Sequence, residues 1–215
     1  MTSSREQSIR SAAIIGIIGA LLTAVTGAVI QLVVQPSTDI SDQMWSYPLS
    51  SRALVPMSIF YAVIHVLVIV GIMGVQRSGM AGPTQTARRG LTAAVAGTAS
   101  LLIGELASIP IRTDGIDDTG AVIVGAIFGL GILLTVIGFL AAGWATRTTG
   151  LWTEWRRHTI LIAGVASIAI FPLQLVHALS AGVAIYGLGV LAFTVALYTQ
   201  PSTADAAMPD LLATA

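Results

Sequence analysis

The stretch MSIFYAVIHVLVIVGIMG, residues 57–74, is apolar over almost its whole length, yet it carries His65 at its centre. An apolar run of this length predicts a helix that crosses a membrane, because about 20 apolar residues in a helix span the ~30 Å of hydrocarbon. Water-soluble helices instead carry a charged or polar face along one side. The stretch therefore decides the fold class, and it raises the question of why an imidazole lies at depth.

The composition of the whole chain supports the same fold class. Of its 215 residues, 55% are hydrophobic and 9% are charged, and the mean hydropathy is +0.87. Soluble domains carry about 25% charged residues, so we expect membrane lipid to cover most of this surface. The formal net charge of zero argues against a nucleic-acid partner, which would require a basic face.

Cysteine and lysine are both missing, and their absence excludes several chemistries. The chain has no cysteine, which excludes disulfides, thiolate zinc sites and iron–sulfur clusters. All ten cationic side chains are arginine, which excludes a lysine Schiff base. The three histidines lie at different depths and lack metal-ligand spacing, so we predict no haem, no metal and no other cofactor. Arginine-only cations with abundant Ala, Gly and Val resemble the composition of bacterial membrane proteins.

The apolar runs predict an all-α polytopic bundle of six transmembrane helices. Barrel strands are a poor alternative, since they are about 10 residues long and alternate strictly. Residues 1–10 would form a cytoplasmic N-terminus, 11–199 the membrane domain and 200–215 a mobile cytoplasmic tail. The predicted spans are residues 11–34, 55–75, 90–110, 119–143, 159–178 and 180–199.

The distribution of arginine predicts the orientation. With both termini in the cytoplasm, eight arginines fall inside and only Arg52 and Arg112 fall outside. Such a bias follows the positive-inside rule, and the expected location is the bacterial cytoplasmic membrane. The outer loop 35–54 is the longest, and it could act as a lid.

The inner segment LWTEWRRH, residues 151–158, is predicted to anchor the bundle at the lipid surface. Trp152 and Trp155 would lie at headgroup level, with Arg156 and Arg157 against anionic lipid. A second motif, GAIFG at 125–129, is a G-x-x-x-G sequence that lets helices approach closely. It suits either dimerisation or packing within the bundle, and we favour packing.

Polar side chains concentrate in the outer half of the predicted spans. Since polar stripes are costly in lipid, we expect them to face each other and to form an outward-facing polar pocket. Ser58, Tyr61 and His65 follow the spacing i, i+3, i+7 on one helical face. The full set of predicted pocket residues is Gln31, Ser58, Tyr61, His65, Glu105, Ser108, Arg112, Gln174, His177 and Tyr186.

Glu105 and His65 carry the most specific chemical hypothesis. A low-dielectric site disfavours the charged form of a carboxyl group unless a cation pairs with it. A Glu–His pair at depth could take up and release a proton, as proton-coupled carriers require. The alternative is a structural hydrogen bond between the second and third spans.

Three functions remain open from the sequence. The first is binding, with or without translocation, of a small or amphiphilic ligand in the outward-facing pocket, coupled to protons through Glu105 and His65. The second is a non-catalytic membrane subunit or scaffold that associates with a protein partner or a second copy. The third is a membrane-embedded enzyme acting on a lipid, although no catalytic motif is present and no catalytic residue is assigned.

Overall fold

The computed structural model describes residues 2–200, with side chains from residue 4 onward. This part of the chain is all-helical, with 79% helix and no strand. The remainder of the predicted tail, 201–215, lies outside the described residues. The helices are α1 (Thr2–Val29), α2 (Ser51–Ser78), α3 (Gln85–Ser108), α4 (Thr119–Thr149), α5 (Arg156–Ile168), α6 (Ile170–Leu175) and α7 (Leu179–Tyr198).

Six helical segments are long and apolar enough to cross a membrane, one for each predicted span. They cover Ser4–Ser37, Ser51–Ser78, Gln85–Ser108, Thr119–Thr149, Arg156–Leu175 and Leu179–Tyr198. Several extend beyond the predicted ends, because helical hydrogen bonding continues past the last apolar residue. The first segment finishes as a π-helix (Ile30–Val34) and a 3-10 turn (Gln35–Ser37).

Short polar residues and glycines set the helix ends. The Ser50 hydroxyl accepts a hydrogen bond from the Ala53 amide and begins α2, and the Thr84 hydroxyl does the same for the Ala87 amide in α3. Such caps satisfy amide groups that have no partner within the helix. Gly79 ends α2 with a φ of 75°, a left-handed conformation that glycine adopts without steric penalty.

The helices pack in the order α1, α2, α3, α4, α5 and α7, and α7 closes the ring against α1. Helix α6 packs on α5 and α7, and α2 touches α7 across the middle. Large side chains fill the centre: the Phe139 and Phe193 rings lie 5.4 Å apart, and Ile64 and Val68 of the same core are fully buried. The centre of the ring is therefore packed.

Close helix contacts depend on residues without a Cβ. A Cβ added to Gly97 of α3 would lie 2.6 Å from the Gly131 carbonyl oxygen of α4. A Cβ added to Gly16 of α1 would lie 2.8 Å from the Gly71 Cα of α2. These distances show backbones in direct contact, the arrangement that small residues permit in membrane bundles.

The two ends of the bundle differ in charge. One end, called the arginine end, carries Arg5, Arg10, Arg77, Arg88, Arg89, Arg147, Arg156 and Arg157. The opposite end, called the acidic end, carries Asp39, Asp42, Asp114, Asp117 and Asp118 together with Arg52 and Arg112. Contacts between chain segments at each end confirm the grouping, for example Arg5 Nη2 to the Arg77 carbonyl oxygen at 2.8 Å.

The loop 38–50 folds onto the acidic end. The Trp45 amide donates to the Asp114 carbonyl oxygen at 2.9 Å, and the Ile116 amide donates to the Gln43 carbonyl oxygen at 2.9 Å. The Trp45 ring lies 6.3 Å from the ring of Phe128 on α4. The loop thus covers the α3–α4 connection at the acidic end. A lid over the predicted outer half of the bundle would lie at this place.

The segment that corresponds to the fifth predicted span is interrupted. Helix α5 ends at Ile168, and the short α6 contains Pro172, which has no amide hydrogen to continue the helical ladder. After α6 the chain turns at His177, which has a φ of 56°. The interruption determines where the polar residues of this segment lie.

Candidate functional site

His65 and Glu105 meet inside the bundle, between α2 and α3. The His65 Nε2 atom lies 3.9 Å from the Glu105 Oε1 atom, and the side chains are 9% and 17% exposed. His65 lies at the middle of α2, and Glu105 lies in the last turn of α3. The separation exceeds a hydrogen bond, so the two groups interact electrostatically or through an intervening small molecule.

Two buried polar atoms on one face of α2 have no hydrogen-bond partner among the described residues. They are His65 Nδ1 and Ser58 Oγ, and Ser58 is 1% exposed. Buried polar atoms are almost always satisfied, because leaving one unpaired costs about 1–3 kcal/mol. Neither atom is accessible to water, so water or a polar ligand would reach them only after the neighbouring side chains move.

Tyr61 completes the predicted stripe on α2. Its ring stacks on the imidazole of His65, with centroids 6.5 Å apart and an interplanar angle of 28°. Its hydroxyl lies within electrostatic reach of the Glu105 carboxylate. Tyr61, His65 and Glu105 are thus brought together, and the buried Ser58 lies on the same face of α2, about two helical turns from His65. We call these four residues the His65–Glu105 site.

Ser108 and Arg112 do not join this site. The Ser108 hydroxyl donates to the Gly104 carbonyl oxygen at 2.9 Å. Arg112 Nη1 donates to the Ile109 carbonyl oxygen at 3.0 Å. The Ser108 hydroxyl thus has a backbone partner, and one of the five N–H donors of Arg112 is used within its own segment. The pocket role of these two residues stays a prediction.

Gln174 and His177 lie away from the site, which corrects the expectation that three polar stripes meet. Both residues are exposed. Within the described part of the chain, α6 packs on α5 and α7 and makes no contact with α2 or α3. The break before α6 and the turn at His177 place these residues on the outside of the ring.

Gln31 has a structural partner. Its side-chain oxygen accepts a hydrogen bond from the Ala181 amide at 3.2 Å, in the first turn of α7, where amide groups lack helical partners. One helical turn further on, the Gln35 side chain donates to the His177 carbonyl oxygen. Gln35 was not among the polar residues predicted to be functional. Its position just after the apolar run was the one feature of the sequence that could have singled it out.

Tyr186 lies at the centre of the ring and is 3% exposed. Its hydroxyl is buried without a hydrogen bond of good geometry, although the hydroxyl of Thr98 on α3 lies beside it. The Thr98 hydroxyl in turn donates to the Ala94 carbonyl oxygen at 2.9 Å. Tyr186 therefore supplies a further polar group to the interior between α3 and α7, separate from the His65–Glu105 site.

The two tryptophans of the predicted anchoring segment differ in exposure, and the position predicted for one of them is wrong. Trp152 is 1% exposed, so its ring packs inside the protein and cannot lie at headgroup level. Trp155 is 46% exposed, and the Arg156 guanidinium lies 5.5 Å from its ring centroid. Arg157 is exposed and donates to the His158 ring at 3.0 Å, whereas the Arg156 side chain is 18% exposed and lies 3.6 Å from the Glu154 carboxylate. Contact of Trp155, Arg156 and Arg157 with lipid stays a prediction.

The GAIFG motif does not pack within the bundle as we favoured. In residues 2–200, no atom lies within 4 Å of the place where a Cβ on Gly129 would stand. For Gly125 the nearest atom is on the Trp45 ring, at 4.0 Å. This face of α4 is open at Gly129, and the Trp45 ring stands beside it at Gly125.

The site contains one imidazole and one carboxylate. Among residues 2–200, no three His, Asp or Glu side chains come together in an arrangement that could hold a metal ion. The chemistry available to His65 and Glu105 is therefore proton exchange and the binding of polar or cationic groups. Comparison of the chain with protein-family models, curated protein sequences and solved structures found no match.

Proposed function

We propose that this protein is an integral membrane protein with six transmembrane helices, and that it binds a small polar or amphiphilic ligand at the His65–Glu105 site with proton coupling. The bundle would lie in the bacterial cytoplasmic membrane with its arginine end in the cytoplasm, as the positive-inside rule requires. Apolar side chains that are half exposed around the ring, such as Val25, Ile59 and Leu130, would contact lipid.

One observation carries the proposal: a carboxylate and an imidazole lie 3.9 Å apart at depth, and the Nδ1 atom of His65 and the Oγ atom of Ser58, on the same face of α2, have no partner among the described residues. A purely structural pair would be expected to satisfy its own hydrogen bonds. Ionisable residues inside membrane helices commonly mark ion, proton or substrate pathways. The Glu105 carboxylate and the Tyr61 ring both favour a cationic ligand.

The test is uptake by the protein reconstituted into liposomes with an imposed pH gradient. The probe is tetraphenylphosphonium, an amphiphilic cation that also crosses bilayers unaided. Its initial uptake is therefore measured above that of protein-free liposomes, with valinomycin and equal potassium holding the membrane potential at zero. Under the proposal, the wild-type protein adds uptake when protons can leave in exchange, and Glu105→Gln removes this added uptake. Glu154→Gln is the matched control, since Glu154 lies on the surface with a side chain 74% exposed. Equal uptake by the Glu105→Gln variant and the wild type would contradict the proposal.

The second candidate is a membrane subunit that docks a protein partner or a second copy on the GAIFG face of α4. The open space beside Gly129 favours it, because such faces allow close helix approach. Gly129→Leu should then abolish association in mild detergent, measured as particle mass, while the melting temperature of the monomer stays unchanged. A monomeric wild-type protein would exclude self-association through this face.

A further inference from the structure

A cleft of about 680 Å³ opens at the arginine end, between the first turns of α1, the end of α2 and the start of α3. It lies at the opposite end of the bundle from the acidic-end loop, and none of the His65–Glu105 site residues line it. Its size falls in the range of about 300–1,000 Å³ that ligand clefts occupy. The cleft is therefore larger than a bare phosphate ion would need.

The charged side chains that line the cleft are both arginines. Arg5 comes from α1 and Arg88 from the first turn of α3, and none of the described lining residues is acidic. The Arg5 guanidinium is held in place by its bond to the Arg77 carbonyl oxygen. Since a guanidinium has five N–H donors, this single bond leaves others for an anion.

The backbone adds to the positive potential. Arg88 lies in the first turn of α3, at the positive end of the helix dipole. A polar pair stands on the same wall, where the Gln76 amide donates to the Thr92 hydroxyl at 3.4 Å. Two arginines and a helix start around one cleft suit a phosphate group, which guanidinium groups bind through paired N–H donors.

The remaining walls are apolar. Val75, Ala87 and Leu91 are buried at the base, and Leu151 stands half exposed at the edge. A free anion would leave the half-exposed Leu151 side chain in contact with water. An amphiphile would cover it, because burying apolar surface is favourable by roughly 25 cal/mol per Å².

We propose that this cleft binds an anionic phospholipid, with its phosphate between Arg5 and Arg88 and the start of its acyl chains against the exposed Leu151. The inference shares with the proposed function the placement of the bundle in a membrane, but it does not depend on ligand binding at the His65–Glu105 site. The site would be occupied by lipid of the leaflet that faces the arginine end, whose anionic headgroups attract arginine.

The experiment uses the full-length protein, stripped of lipid in a neutral detergent, and measures its melting temperature. The probes are dihexanoyl phosphatidylglycerol, dihexanoyl phosphatidylcholine and inorganic phosphate. We expect the phosphatidylglycerol to raise the melting temperature by about 5 °C or more at a concentration ~100 times its dissociation constant. Phosphatidylcholine and inorganic phosphate should give clearly smaller shifts, because one is neutral and the other leaves the Leu151 side chain uncovered.

The variants distinguish specific binding of lipid in the cleft from a general attraction of anionic lipid to a basic surface. Arg88→Gln should weaken phosphatidylglycerol binding about tenfold, as the loss of one charge-assisted contact would. Arg89→Gln is the matched control, since Arg89 is the next residue of the same turn, is also exposed and does not line the cleft. Arg5→Gln should weaken binding similarly, and its melting temperature without lipid shows whether the lost Arg77 contact alters the fold.

Three results would overturn the assignment. They are equal loss of binding in Arg88→Gln and Arg89→Gln, an equal shift with phosphatidylcholine, and inorganic phosphate as effective as the lipid. The Glu105→Gln variant should keep the full lipid effect, so a failure here is distinguishable from a failure of proton-coupled binding at the His65–Glu105 site.

Discussion

The Nε2 atom of His65 lies 3.9 Å from the Oε1 atom of Glu105, while the Nδ1 atom of the same imidazole is buried without a partner in the described residues. The imidazole thus has a charged neighbour on one side and an unsatisfied nitrogen on the other. This combination differs from a structural histidine, whose ring nitrogens are normally both bonded when buried. A ligand or a water molecule at this position would satisfy the Nδ1 atom and come within reach of the carboxylate.

Binding of a cation at Glu105 should depend on pH. Protons and cations compete for the same carboxylate, so proton-coupled binding predicts a higher affinity for tetraphenylphosphonium at higher pH. Glu105→Gln should bind the probe weakly and with no pH dependence. Equilibrium dialysis between about pH 5 and 8, where histidine also changes charge, measures both. A Glu105→Gln variant that keeps the slope would contradict the assignment.

Ser58 and Ser108 offer a matched pair of buried hydroxyls. Ser58→Ala removes an unsatisfied hydroxyl, so we expect the free energy of unfolding to stay equal or to rise by up to about 1 kcal/mol. Ser108→Ala removes a hydroxyl bonded to the Gly104 carbonyl, so we expect a loss of about 0.5–1 kcal/mol. Thermal unfolding in detergent measures both.

The same Ser58→Ala variant should bind the amphiphilic cation more weakly than the wild type. Greater stability with poorer binding is the pattern of a residue kept for function. If Ser58→Ala destabilises the protein as much as Ser108→Ala does, then Ser58 is structural and the unpaired hydroxyl carries no functional meaning.

Replacing a glycine by alanine should destabilise the protein at Gly97 of α3 but not at Gly129 of the neighbouring helix α4. Gly97→Ala would bring a methyl group to 2.5 Å from the Thr135 hydroxyl oxygen and 2.6 Å from the Gly131 carbonyl oxygen. Such overpacking costs about 1–3 kcal/mol. Gly129→Ala adds the same methyl group into open space, so the melting temperature of the monomer should not fall. Equal melting temperatures for the two variants would mean that α3 and α4 are not in backbone contact.

Trp152 and Trp155 should differ in stability and in accessibility. Trp152→Ala removes a fully buried ring and should cost about 3–5 kcal/mol, whereas Trp155→Ala should stay within about 0.5 kcal/mol, as surface substitutions do. Fluorescence quenching by iodide should affect Trp155 and spare Trp152, measured in variants in which the other three of the four tryptophans, including the exposed Trp144, are replaced by phenylalanine. Strong iodide quenching of Trp152 would place it at the surface, as the sequence had suggested.

The length and periodicity of the apolar runs were sufficient to predict an all-helical chain with six long apolar helices, and the structure confirms this. The stripe of Ser58, Tyr61 and His65 was also predictable, because spacing along one helix determines which residues share a face. The orientation of the bundle in the membrane and its bacterial origin stay predictions.

The composition of the site was predictable only in part. Tyr61, His65 and Glu105 were named from the sequence and do lie together, with Ser58 on the same face of α2. Gln174 and His177 were assigned to the same pocket because they fall in the same half of the predicted spans. Depth follows from position along a helix, but the direction in which a side chain points depends on the rotation of the helix and on its neighbours.

The sequence by itself determined the helices, the polar face of α2 and the separation of arginines from aspartates, since each of these depends on residues close together in the chain. The tertiary structure alone decided that Glu105 faces His65, that Trp152 is buried and that α6 lies away from α2 and α3. Those outcomes depend on backbone contacts at Gly97 and Gly16 and on the break before α6. Such contacts join residues far apart in the chain, and no local pattern encodes them.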